Sequence, residues 1–302
     1  MTGTMFNTLL AAAAARVEVP VDGQTGVWLK YGTTAVSSGM RMIYTTVIGS
    51  GREADAAYVY RHGVMSAANI GYWGNLYVSN GGVAVAPTTL QNGANITVSS
   101  GGLVTNPTLR GGYLYLRNGT ATDAVVSGGE VQVYYSGTLL SGAVVLSAGT
   151  VTISQGSAYN CNFETRAVTA PVYLYGGRMV SCVLNSGTVA RISAGGTVAS
   201  CTVNGMNAGN GRARFIVFSG LALSTTVSAG GHITVNQTGA RGSGNSVLAG
   251  GLLDVSSGGI DSGATIYSGG TLTVYSGGTA LAVTSNAGAT ITVAAGGYIE
   301  YA

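Results

Sequence analysis

A chain of 302 residues with 8% charged side chains and a formal net charge of +3 lacks the basic surplus that drives binding to nucleic acid or to an anionic membrane surface. Hydrophobic residues make up 46% of it, yet no run approaches the roughly 18 apolar residues of a membrane span. Fifty glycines and three cysteines argue against long helices, in which glycine is costly, and against a disulfide framework, which an odd cysteine count suits poorly.

Met1 to Val17 holds the apolar stretch Leu9-Leu10-Ala11-Ala12-Ala13-Ala14-Ala15 with no Lys or Arg ahead of it. A secretory signal needs a basic leading region. The better reading is an alanine-rich cap over a first coil, because an uncapped stack of coils exposes strand edges and apolar core. Residues 18 to 70 are irregular: Val27/Leu29 before Gly32 fits the pattern that follows, whereas Arg41 to His62 fits it loosely and carries Arg52, Glu53, Asp55, Arg61 and His62. The chain thus divides into a cap with irregular first coils, 1–70, and a repetitive region, 71–302.

From Leu76/Val78 onward, two apolar residues flanking one variable residue recur before a turn. The pairs are Ile96/Val98, Leu114/Leu116, Val131/Val133, Val151/Ile153, Val172/Leu174, Ala190/Ile192, Phe215/Val217 and Ile233/Val235. The last three, Leu253/Val255, Leu272/Val274 and Ile291/Val293, keep a strict 19-residue interval. Elsewhere the interval drifts between 17 and 25, which places insertions in the turns. A weaker strand lies between the pairs, at Val227, Val247 and Ile266, so each coil has at least two strands. Alternation such as Thr271-Leu272-Thr273-Val274 turns the apolar members inward and the threonines outward. Stacked repeats of this kind form a solenoid. The expectation is an all-β, single-stranded parallel β-solenoid (β-helix) of about 14 coils, roughly 4.8 Å apart, with a short N-terminal cap.

Cys161, Cys182 and Cys201 are spaced about one coil apart, each two residues before an apolar residue, Phe163, Leu184 and Val203. They should point inward and stack as a ladder of buried thiols. Metal ligation would need convergent ligands and a nearby His pair, so no metal and no cofactor is expected.

Catalysis on a solenoid needs acidic or basic groups gathered on one face, and only ten carboxylates exist. Asp254 and Asp261 could share a face, but no Lys or Arg follows them, and they read as solvated turn residues. His62 and His232 are too far apart in sequence to form one site, and Gly239 to Gly244 lacks the Gly-Lys-Ser/Thr ending of a phosphate loop. The chain reads as no enzyme. Tyrosine stacks on sugar rings and partner surfaces because it joins a flat apolar face to a polar tip. Tyr77 and Tyr115 fall between inward pairs and should face out, and Trp73, Tyr113, Tyr134, Tyr135, Tyr173 and Tyr175 lie near comparable edges. The contacts proposed for a glycan or protein partner are Trp73, Tyr77, Tyr113, Tyr115, Tyr135 and Tyr173.

The run Val247-Leu248-Ala249-Gly250-Gly251, then Ile266-Tyr267-Ser268-Gly269-Gly270-Thr271-Leu272-Thr273-Val274-Tyr275-Ser276-Gly277-Gly278-Thr279, resembles the 19-residue repeats of AIDA-type self-associating autotransporter adhesins. Degraded copies reach back to about residue 76. The resemblance implies a right-handed β-helical passenger on a Gram-negative cell surface, or secreted, that promotes adhesion, self-association, cell aggregation and biofilm. It also implies O-linked heptose on Ser and Thr, added by a heptosyltransferase, with Ser256, Ser268, Ser276 and Thr279 as candidate acceptors. A cell-surface glycan or protein would be the receptor. The chain shows no convincing signal peptide and no translocator pattern of amphipathic strands, and it stops almost on a repeat. Those features suit a second reading, a structural fibre or phage tail-fibre-like element assembling end to end or as a trimer, cytoplasmic or virion-associated. A carbohydrate-active enzyme ranks third.

Overall fold

The computed structural model describes residues 17–18, 24–25, 28–30, 33–37, 40–43, 45–48, 56–89, 93–146, 148–164, 171–205 and 212–302, with backbone alone over 17–34 and at 171. The expected cap, and Arg52, Glu53 and Asp55, lie outside the described residues. The fold is a parallel β-solenoid of about 13 turns, with strands and no helix among the described residues. Two compact units divide it, residues 1–143 and 144–302.

Before the C-terminal coils, where Thr279–Ser285 runs as one strand through B and C, a coil contributes three strands, one to each of three parallel ladders, called here sheets A, B and C. In the first unit a coil runs Asn75–Val78 in A, Val83–Val85 in B and Thr88–Thr89 in C. These pair in register with Asn95–Ser99, Leu103–Thr105 and Thr108–Leu109 of the following coil. In the second unit Leu252–Ser256, Ile260–Ser262 and Thr265–Ile266 form the equivalent coil.

The apolar pairs of the sequence are the inward positions of sheet A. Leu76 sits above Ile96 and Val78 above Val98, and every pair from Leu76/Val78 to Leu272/Val274 is buried. In the last coil Ile291 is half-buried and Val293 is 41% exposed. Val227, Val247 and Ile266 are the inward positions of sheet C, in register with one another.

Sheet B has no sequence signature because each of its strands buries one side chain, and that side chain is often small. Along the second unit the inward column reads Ala158, Met179, Val198, Ala222, Gly242, Asp261 and Ala280.

The stretch Arg41 to His62 forms regular strands, Arg41–Ile43 in B, Thr46–Ile48 in C and Ala56–Val59 in A. It scans poorly because Ala57 fills one of the two inward positions of sheet A. Leu29, whose spacing matched the sheet A pairs, stands instead in sheet C, beside Val47.

The corners turn on residues with a left-handed backbone, in some corners two in succession, as at Ser257 and Gly258. At the corner entering sheet A in the second unit, Gly230, Gly250, Gly269 and Gly288 all have φ between 70° and 84°. Their amides form a ladder, with Gly230 N–H donating to Gly250 O, Gly250 to Gly269 and Gly269 to Gly288. A Cβ carries a penalty in this conformation, which accounts for glycine here. The corner between sheets B and C repeats the device with Asn160, Ser181, Ser200 and Ser224. The residue after each left-handed position drops into the core, and three of these are Cys161, Cys182 and Cys201.

Candidate functional site

The three cysteines form no disulfide and are buried. The Cys161 amide donates to Cys182 Sγ at 3.4 Å, and the Cys182 thiol lies 3.4 Å from Val180 O. Contact with the Cys161 thiol, then burial, pushes the Cys182 pKa up to about 12; the neighbouring Cys182 thiol and burial raise that of Cys201 as well. A thiol held protonated is a poor nucleophile and a poor metal ligand. Among the described residues no three His, Cys, Asp or Glu are grouped to hold a metal ion.

Asp254 and Asp261 occupy strands, not turns, and face opposite ways. Asp254 lies between the inward Leu253 and Val255 and points out, with its Oδ2 2.8 Å from His232 Nε2. Thr234 Oγ1 is 3.3 Å from that same nitrogen. A catalytic relay needs the hydroxyl and the carboxylate on different ring nitrogens, so this trio is a hydrogen-bonded pair, its His232 side largely buried, with a hydroxyl neighbour.

Asp261 is not solvated, as its sequence context suggests, but fully buried in sheet B. Asn245 Nδ2 donates to its Oδ2 at 2.8 Å, while Asn245 Oδ1 accepts from the Thr225 amide at 3.1 Å. Asp261 Oδ1 has no partner among the described residues. Burial pushes its pKa up to about 6, against the single Asn245 hydrogen bond, which lowers it. Gly242 makes the room: a Cβ there would meet Asp261 Oδ2 at 1.7 Å.

The aromatic candidates separate into clusters. In the first unit Tyr77 stacks on Tyr58 with ring centroids 4.9 Å apart and planes 14° off parallel. Tyr113 stacks on Tyr115 at 5.4 Å and 7°, and Tyr115 continues to Tyr134 at 6.5 Å. Tyr134 in turn meets Tyr135 at 6.1 Å. Trp73 stands at a corner with Tyr72 edge-on at 5.5 Å. It takes a left-handed backbone, φ 56°, and a Cβ on Gly93 would meet its indole at 3.4 Å. In the second unit Tyr173 and Tyr175 stack at 5.7 Å, with Arg191 over Tyr173.

Tyr58, Tyr77, Tyr113, Tyr173 and Tyr175 each use one ring face on a tyrosine neighbour, while Tyr115 stacks against both Tyr113 and Tyr134. Burial raises the Tyr77 and Tyr115 phenols above their ordinary value, helped by Tyr58 and by Tyr113, Tyr134 and Glu130 respectively. They act as neutral donors and acceptors.

Of the candidate glycan acceptors, Ser268 and Ser276 are exposed at glycine corners, whereas Ser256 and Thr279 are half-buried in strands. A longer hydroxyl array escaped sequence reasoning. The outward positions of sheet C in the second unit run Val144, Asn162 and Val183, then hydroxyls alone at Thr202, Thr226, Ser246, Thr265 and Thr284, one directly above the next. Its signal was present, a hydroxyl residue immediately before each of Val203, Val227, Val247 and Ile266.

No protein-family model matches the chain, and no curated protein matches it in sequence. Among solved structures it is similar to a TibA fragment hyper-glycosylated in a TibC-catalysed reaction. The match has a TM-score of 0.82 and 25% identity, and covers 95% of this chain and 100% of that one.

Proposed function

We propose that this chain is a non-enzymatic, β-helical adhesin of the bacterial surface, which self-associates and so promotes cell aggregation and biofilm. The observation that carries the reading is the column Thr202, Thr226, Ser246, Thr265 and Thr284, an uncharged row of hydroxyls on a regular lattice. Two such faces can form many hydrogen bonds with no ion to desolvate, and weak contacts repeated along a surface sum to useful avidity. The same hydroxyls, with Ser256, Ser268, Ser276 and Thr279, are the candidate acceptors for O-linked heptose, Ser268, Ser276 and Thr284 being the exposed ones. The fold shared with a hyper-glycosylated fragment supports that modification, and a heptosyltransferase is the partner it requires. The outward aromatic clusters serve a cell-surface receptor.

The test is display of the full chain on cells that do not otherwise settle. Clumping in standing culture is the expected result, and dispersed cells with the chain present on the surface contradict it. Intact mass after coexpression with a heptosyltransferase should rise in heptose increments; an unchanged mass removes the glycosylation part. The fibre reading competes on one point, the very low charge of the repeated faces, and predicts filaments or stable trimers of purified chain in electron micrographs.

A further inference from the structure

Arg117 stands at the outer face of sheet A in the first unit, exposed, with its guanidinium beside the Tyr115–Tyr134 pair, 5.5 Å from the Tyr115 centroid and 5.7 Å from that of Tyr134. No ion pair holds it among the described residues. An exposed guanidinium held beside aromatic rings with no ion pair keeps N–H donors for a ligand, in the fork that matches a carboxylate. Beside it the acceptors are ordered. The Tyr134 hydroxyl donates to Gln132 Oε1, and Gln132 Nε2 donates to Glu130 Oε1 at 2.8 Å. With its proton committed to Gln132, the Tyr134 oxygen offers a lone pair outward, and the Glu130 carboxylate also accepts. Tyr113 closes the patch by stacking on Tyr115.

From this juxtaposition we propose that Tyr113, Tyr115, Arg117, Glu130, Gln132 and Tyr134 form a binding site for a carboxylate-bearing saccharide. The ligand's carboxylate takes the Arg117 fork, and its hydroxyl donors reach Tyr134 and Glu130. The charge pattern selects this class. A neutral sugar leaves the guanidinium without its partner, and a polyanionic peptide meets the negative Glu130. One anion flanked by hydroxyl donors satisfies both. Sialic and uronic acids share that chemistry. The site rests on the adhesin reading only in supplying a glycan for a receptor.

The experiment titrates the purified full chain with 3′-sialyllactose, methyl galacturonide (free carboxylate) and, as neutral control, lactose, followed by ligand-observed NMR. One or both acidic sugars should bind at least about tenfold more tightly than lactose, and added salt should weaken them. Whichever binds identifies the source of the carboxylate. Arg117→Gln should reduce acidic binding to the lactose level, and Tyr134→Phe should weaken it severalfold. Arg178→Gln, an exposed arginine of the other unit, should change nothing. Circular dichroism of each variant checks that the fold is kept. The inference is overturned if no acidic sugar binds, if lactose binds equally, if an acetyl-aspartyl peptide amide binds better, or if folded Arg117→Gln binds as the parent does. Clumping of displaying cells is scored in parallel. Clumping without saccharide binding sinks this site and leaves self-association standing, while binding without clumping does the reverse.

Discussion

Asp261 stands where the neighbouring coils place glycine or alanine, Gly242 on one side and Ala280 on the other. Its pKa is raised from 3.8 to about 6, so the folded chain holds this proton more tightly than the unfolded chain. The stabilisation is complete below about pH 3.8 and is lost as pH rises through about 6, on the order of 3 kcal/mol across that window. Asp261→Asn should flatten that dependence, matching the parent near pH 4 and exceeding its stability at pH 7.5 in denaturant unfolding. A parent whose stability rises between pH 4 and 7 because of this residue would refute the assignment. Gly242→Ala should cost about 1–3 kcal/mol, as overpacking does. Adding Asp261→Ala should recover most of the loss in thermal melts, since Ala at both positions resembles Ala222 and Ala280 in the same column. None of this was legible beforehand. An aspartate two residues after a glycine reads as a turn, and only the register shows that it lies over Gly242 in the core.

At the scale of the strand, the sequence speaks where two inward positions share one strand and falls silent where a strand has one. Leu272 and Val274 announce sheet A, and Ile266 announces sheet C with the help of its glycine corner. Ala222, Gly242 and Asp261 conceal sheet B, so a third strand in each coil emerges only from the pairing. Leu29 shows the converse error, a strand recognised but assigned to the wrong sheet. Tyr77 and Tyr115 occupy outward positions of sheet A, but the stacking of the aromatic residues depends on coil register and is not legible from spacing. Leu272→Ala, which opens a cavity between Leu253 and Ile291 in the ladder, should cost about 2–5 kcal/mol in denaturant unfolding. The cysteine ladder yields a chemical test. With the Cys182 thiol pushed up to about 12 and Cys201 raised too, iodoacetamide at pH 8 should leave both unmodified in the folded chain and label them in urea. Rapid labelling of the native chain would show that this corner opens.

For the molecule as a whole, the stacking that builds the core also builds the surface: each outward residue is repeated at the spacing of the coils. In the proposed self-association, that regularity is what a second copy reads on a polar, nearly uncharged face. Outward positions of sheet C can be altered with little effect on the core, because Thr226 and Thr265 are half-exposed while Val227 and Ile266 beneath them are buried. The most direct test of self-association is therefore the settling rate of cells displaying the parent chain against cells displaying Thr226→Lys/Thr265→Lys, with equal surface amounts and unchanged circular dichroism. Charge introduced on alternate coils should abolish clumping by like-charge repulsion and restore it in part at high salt. Folded variant chains that clump as fast as the parent would contradict the account.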